Sequence, residues 1–185
     1  MEPELWCANL RANRQWADFV ASPLEKLTPA RMSTQGAELL AEGRMSDVYG
    51  LGGVAIKICR RDNRPSERFI RLALNRQQNP FYPQILAVGF HGDRHVVVME
   101  RLEGAELSSS SASTLFFASR CHHHSIRCAP HVPEVVAARR QNLPAFRQLF
   151  RDLRQLGQMR RYCLHPQNIM RRDGDGQLVI TDPIC

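Results

Sequence analysis

The chain has 185 residues, 43% of them hydrophobic, which is enough to bury a core in one domain or in two small lobes. The formal net charge is +7, and 23 of the 25 basic residues are Arg, with Lys26 and Lys57 the two lysines; the arginines are scattered and no aromatics interleave with them, so nucleic acid is not an expected partner. No apolar run reaches the ~18 residues of a membrane span and Met1-Glu2-Pro3-Glu4 is unlike a signal peptide, so a soluble, cytoplasmic chain with no membrane partner is expected.

Residues 1–40 read as helical: Leu5, Trp6, Leu10, Trp16 and Phe19 recur at roughly helical spacing, and Pro23 and Pro29 punctuate the stretch. From Leu39 the pattern changes. Leu39-Leu40 leads to Gly43, and Val48-Tyr49 is separated by Gly50-Leu51-Gly52-Gly53 from the compact run 54–59, which predicts a tight hairpin. Pro65 and Glu67 open a predicted helix carrying Phe69, Ile70, Leu72, Ala73 and Leu74 to about Gln77. A second hairpin is expected from 85–90 and 95–100 around His91-Gly92-Asp93-Arg94.

The Ser-rich run 108–113 suits a loop, and the stretch 114–143 has no clear period. That stretch holds Cys121, His122, His123, His124 and Cys128, enough ligands for a metal but with the spacing of no standard zinc module. The six cysteines form no C-x-x-C pair and are expected as thiols. From 144 to about 161, Phe146, Leu149, Phe150, Leu153 and Leu156 mark an amphipathic helix. A turn at Asp173-Gly174-Asp175-Gly176 then leads into a strand at 177–181 that ends at Asp182. The expected class is α+β, with an antiparallel sheet in the first half.

Phosphoryl transfer needs a flexible backbone over the phosphates, a cation to hold them, a carboxylate and an amide for the metal, and a base to orient the acceptor. Val54-Ala55-Ile56-Lys57 matches the strand tetrapeptide that carries the phosphate-binding lysine of protein kinases. Upstream, Ala41, Gly43 and Ser46 place small residues at the three sites of a Gly-rich loop, followed by Val48. Val98-Met99-Glu100-Arg101-Leu102-Glu103-Gly104 resembles the kinase strand-to-hinge segment. The resemblance implies adenine contacts after the strand at Glu100 and Leu102, with Met99 controlling the back of the pocket. Glu67 follows Lys57 by ten residues on the predicted helix and is its candidate partner.

Leu164-His165-Pro166-Gln167-Asn168-Ile169-Met170, then Ile180-Thr181-Asp182-Pro183 around a hairpin, is similar to the catalytic and metal loops of aminoglycoside-phosphotransferase-type and small bacteriophage kinases. The chain resembles the protein-kinase-like superfamily from about Leu39 to Ile184, and most of all the early serine/threonine protein kinases of short-tailed bacteriophages. That resemblance implies a two-lobe fold. Residues 1–38 would be a helical extension, 39–104 an antiparallel-sheet N-lobe and 105–185 a minimal, mostly helical C-lobe. It also implies ATP and Mg²⁺ as cofactors, Asn168 and Asp182 as metal ligands, which suit a hard cation, and a host protein as substrate in a bacterial cytoplasm.

Two departures bear on activity. Cys163 stands five residues before Asn168, where the family has its catalytic Asp; a thiol with a pKa of about 8.5 is a poor acceptor for a hydroxyl proton. His165 is a candidate substitute base. Only three residues follow Asp182, which leaves open a minimal kinase with another substrate platform, a truncated one or a degenerate copy. The alternatives to a protein kinase are a pseudokinase-type binding module and a small-molecule phosphotransferase.

Overall fold

In the computed structural model residues 4–7, 14–60, 64–104, 143–157 and 168–181 are described. They divide into two units, the first from Met1–Glu67 and Gln84–Arg101, the second from Arg68–Pro83 and Leu102–Cys185.

The first unit is built on a six-stranded antiparallel sheet. Its strands are β1 (Glu4–Cys7), β2 (Glu38–Glu42), β3 (Ser46–Leu51), β4 (Val54–Cys59), β5 (Ile85–His91) and β6 (Arg94–Glu100), in the order β1-β5-β6-β4-β3-β2. The hairpins follow from their turns. Leu51 pairs with Val54 and His91 with Arg94, so each loop has two residues. The first loop residue is Gly52 (φ 57°) in one and Gly92 (φ 68°) in the other, a backbone region that disfavours a Cβ and that type II′ turns give to glycine.

Side chains alternate across a strand, so the register sorts the sheet into two faces. One face carries Tyr49, Ile56, Ile58, Ala87, Val96 and Val98. These pack against Val20, Leu27, Met32 and Ala37 from the segment before β2. That segment holds helix α1 (Arg14–Ala21), a 3₁₀ turn (Leu24–Lys26) and helix α2 (Pro29–Thr34). Thr28 caps α2, its hydroxyl accepting from Arg31 N, with Pro29 in the first turn. The helix stops at Gly36 (φ 77°), where Gly36 N donates to Ser33 O (2.9 Å) and Ala37 N to Met32 O (3.0 Å), the Schellman arrangement. Met32 and Ile56 are fully buried, each burial being worth about 1.5–3 kcal/mol. The end of α1 lies against Gly89: a Cβ there would stand 2.2 Å from Val20 O, and the same carbonyl accepts from His91 Nε2 at 2.8 Å.

The helical reading of residues 1–40 is corrected at both ends. Glu4–Cys7 is a strand, paired with β5 through Trp6 and Val88, because the open edge of β5 supplies backbone partners that no local pattern reveals. Glu38–Glu42 is likewise a strand, although all five of its side chains are exposed. The described part of residues 1–38 belongs to the first unit, and its Val20, Leu27, Met32 and Ala37 fill one side of the core.

Helix α3 (Arg64–Leu74) is divided between the units after Glu67. The second unit also holds helix α4 (Leu143–Gly157) and a three-stranded sheet ordered β7-β8-β9, from Glu103–Gly104, Ile169–Arg171 and Leu178–Ile180. Its buried residues include Phe69, Ile70 and Ala73 of α3, Phe81 and Tyr82, Phe146, Leu149 and Leu153 of α4, and Ile169 and Val179. Phe81 meets Phe146 edge-on at 5.5 Å, and Ile180 N donates to Phe81 O at 2.9 Å. The predicted turn at 173–176 is present, with Gly174 and Gly176 at positive φ and Gln177 N donating to Asp175 Oδ1. No helix among the described residues is long and apolar enough to cross a membrane.

Candidate functional site

The face of the six-stranded sheet opposite the α1–α2 core carries the candidate residues of the first unit. Lys57 pairs with Val48 on β3 and Val97 on β6, and Ala55 pairs with Gly50 and Met99. Ala41 pairs with Val48 across a bulge at Leu40. Cross-strand partners share a face, so Ala41, Val48, Ala55, Lys57 and Met99 lie together on one side. Lys57 is 6% exposed. A buried ammonium is costly unless neighbouring groups compensate its charge, so a lysine at this depth is unlike the ordinary exposed one.

Cys59 and His95 are partners one step further along, on this same face. His95 Nε2 lies 3.3 Å from Ser66 Oγ, with both residues fully buried. The first turn of α3 is therefore held against the Lys57 face, and Glu67, half-buried, is the next residue of that turn.

The loop between β2 and β3 is tight. Gly43 N donates to Ser46 O at 2.9 Å, and a Cβ on Gly43 would lie 3.0 Å from that oxygen. That amide is engaged in closing the loop, Ala41 is exposed and Ser46 half-buried. At the far end of β6, Glu100 is clasped to Gln84. Its N–H donates to Gln84 O at 2.9 Å, and its Oε1 accepts from Gln84 N at 2.8 Å. Arg101 N donates to Gly53 O at 3.1 Å, and its guanidinium crosses Gly50 to reach Glu38 at 3.0 Å. Leu102 is buried and opens the next stretch of the second unit.

In the second unit Asn168 is half-buried, and its carbonyl accepts two hydrogen bonds from Thr181, from N at 2.9 Å and from Oγ1 at 3.3 Å. Thr181 and Asn168 thus close the open end of the β8–β9 hairpin. Asp182, Cys163 and His165 lie outside the described residues, as does the cluster from Cys121 to Cys128. Neither Cys7 nor Cys59 is in a disulfide, and no group of three metal-ligating side chains occurs among the described residues.

Two polar features had no signal in the sequence. Asp152 on α4 is 2% exposed and accepts from Arg76 Nε (2.9 Å), Arg76 Nη2 (3.3 Å), Tyr82 Oη (3.0 Å) and Gln148 Nε2 (2.7 Å). The carboxylate raises the pKa of Arg76, while burial and then the charge of Asp152 push the Tyr82 hydroxyl far above its ordinary value. Beside this knot lies an open groove of about 670 Å³ lined by Leu74–Asn79, Pro144, Ala145, Gln148 and Arg151. In the first unit Asp47 pairs with Arg60 at 2.8 Å, and burial raises the pKa of the neighbouring Tyr49 while Arg60 opposes it.

No protein-family model matches the chain, and no curated protein matches it.

Proposed function

We propose that the chain is a protein-kinase-like, two-lobe phosphotransferase that binds ATP with Mg²⁺ and transfers the terminal phosphoryl group to a protein hydroxyl. The observation that carries this is the buried Lys57 on a sheet face shared with Ala41, Val48, Ala55 and Met99. Those small and apolar side chains suit the faces of a purine, and the lysine suits the α/β-phosphates. Support also comes from the α3 turn bearing Glu67, which is held to this face through His95. The bonds between Thr181 and Asn168 support it in the second unit, since Asn168 and Asp182 would hold the metal. The N–H groups of Glu100 and Arg101 are engaged by Gln84 and Gly53, so the donor to adenine falls by chain order to Leu102.

Cys163 favours a second reading, a nucleotide-binding pseudokinase. A general base typically contributes 10²–10⁴-fold, while positioning and electrostatics supply much of the rest, so loss of the Asp slows transfer without abolishing it. The test is a melting curve with ATP and Mg²⁺ combined with transfer of radiolabelled phosphate. A nucleotide-dependent rise in Tm, lost in Lys57→Ala, is the expected result, and absence of any shift in the wild type sinks the proposal. Label transfer abolished by Asp182→Ala supports the kinase. Binding without transfer, with transfer gained in Cys163→Asp, supports the pseudokinase.

A further inference from the structure

A buried hydrogen bond between Ser66 and His95 ties the first turn of α3 to the sheet. The Ser66 hydroxyl reaches a side chain 29 positions later in sequence, on strand β6 in the middle of the sheet. Both residues are at 0% exposure, so the bond is shielded from water and its loss leaves a buried polar group unsatisfied. Either Ser66 Oγ–H donates to Nε2, or Nε2–H donates to Oγ.

The register adds the directional information. His95 pairs with Cys59 and Lys57 with Val97, so histidine and lysine stand on adjacent strands and face the same side, two residues apart along the strand direction. Fixing Ser66 to His95 fixes the backbone of Glu67 relative to Lys57. An acid on an α-helix can turn away from a strand lysine by a small rotation of the helix, and a bond at its first turn opposes that rotation.

From this geometry we infer that Ser66 and His95 form a positioning pair that holds Glu67 toward Lys57 and so keeps the phosphate-binding lysine oriented before nucleotide arrives. The inference rests on the proposed ATP site and deepens it. The pair touches no substrate, and its effect on the nucleotide passes entirely through Glu67.

A double-mutant cycle on ATP affinity, read by titration calorimetry with Mg²⁺ present, tests this for Ser66→Ala, Glu67→Gln and the double variant. Ser66→Ala is expected to weaken ATP binding about fivefold, the size of one net buried hydrogen bond. In the Glu67→Gln background the same change is expected to cost nothing further, because the group it positions is gone. Equal losses in both backgrounds, or a lowered Tm with unchanged affinity, would show a structural pin and overturn the inference. Should Ser66→Ala fail to fold, His95→Phe, which fills the buried site but offers the Ser66 hydroxyl no partner, carries the same cycle with the same criteria. A wild type that binds no ATP overturns the underlying site and the inference together. Binding that is lost in Lys57→Ala but shows additive Ser66 and Glu67 effects overturns the inference alone.

Discussion

Asp152 in the second unit and Lys57 in the first are both charged and nearly inaccessible, at 2% and 6% exposure. Their surroundings differ. Each oxygen of Asp152 accepts two hydrogen bonds, from Arg76, Tyr82 and Gln148, so its lone pairs are saturated by its own unit. Lys57 has Val48 and Val97 as its cross-strand neighbours, on a face that also carries Ala41, Ala55, Met99, Cys59 and His95. A carboxylate closed off by four donors is architecture, since nothing is left on it for a ligand. Lys57 stands on the face that the proposed nucleotide site would occupy, so its removal is expected to show in binding more than in stability.

Truncation separates the two cases. Asp152→Ala is expected to cost about 3–5 kcal/mol in urea unfolding, because the Tyr82 hydroxyl and the Arg76 guanidinium lose their buried partner. Lys57→Ala is expected to cost about 1 kcal/mol or less while abolishing the response to ATP. Equal destabilisation by the two changes would break the distinction.

Tyr82 sharpens it through pH. Its folded-state pKa is raised by burial and by the charge of Asp152, so the folded protein keeps a proton that the unfolded chain releases near its ordinary pKa of about 10. The contribution is therefore fully present below about pH 10 and declines as pH rises above it. Tyr82→Phe is expected to lose about 1 kcal/mol at pH 8 and to show a shallower decline in stability between about pH 9 and about pH 11. Parallel curves for the two proteins would mean that the hydroxyl is not held in this way.

The smallest effect belongs to the ion pair of Arg101 with Glu38, whose side chains are 38% and 63% exposed. Glu38→Gln is expected to change stability by about 0.5 kcal/mol or less, with the difference shrinking further in high salt. A larger change would show that the clasp over Gly50 holds the end of β6 in place.

Those elements that carry their own turn or periodicity were legible from residues alone. Gly52 and Gly92 marked the two hairpins, Val54–Cys59 announced a strand, and Phe146, Leu149 and Leu153 drew the buried stripe of α4. Elements that depend on a distant partner were not. Leu5 and Trp6 read as helical, and pairing with the edge of β5 makes them a strand. Glu38–Glu42 shows no alternation because both of its faces are open and Leu40 sits in a bulge. Asp152 drew no reading from the sequence, since its partners Arg76 and Tyr82 lie 76 and 70 residues before it. In the candidate site the motif lysine was visible as letters, but its face and burial came from the register, and Ser66 and His95 carried no motif at all.

The division of the chain has a bearing on synthesis. Every residue of the first unit has left the ribosome once Arg101 has, so its sheet is able to form early. The stretch Arg68–Pro83, made before β5 and β6, has hydrogen-bond partners at Ala145, Asp152 and Ile180, which emerge much later. Its folding waits on that later sequence, and apolar side chains left exposed over such an interval are what chaperones cover.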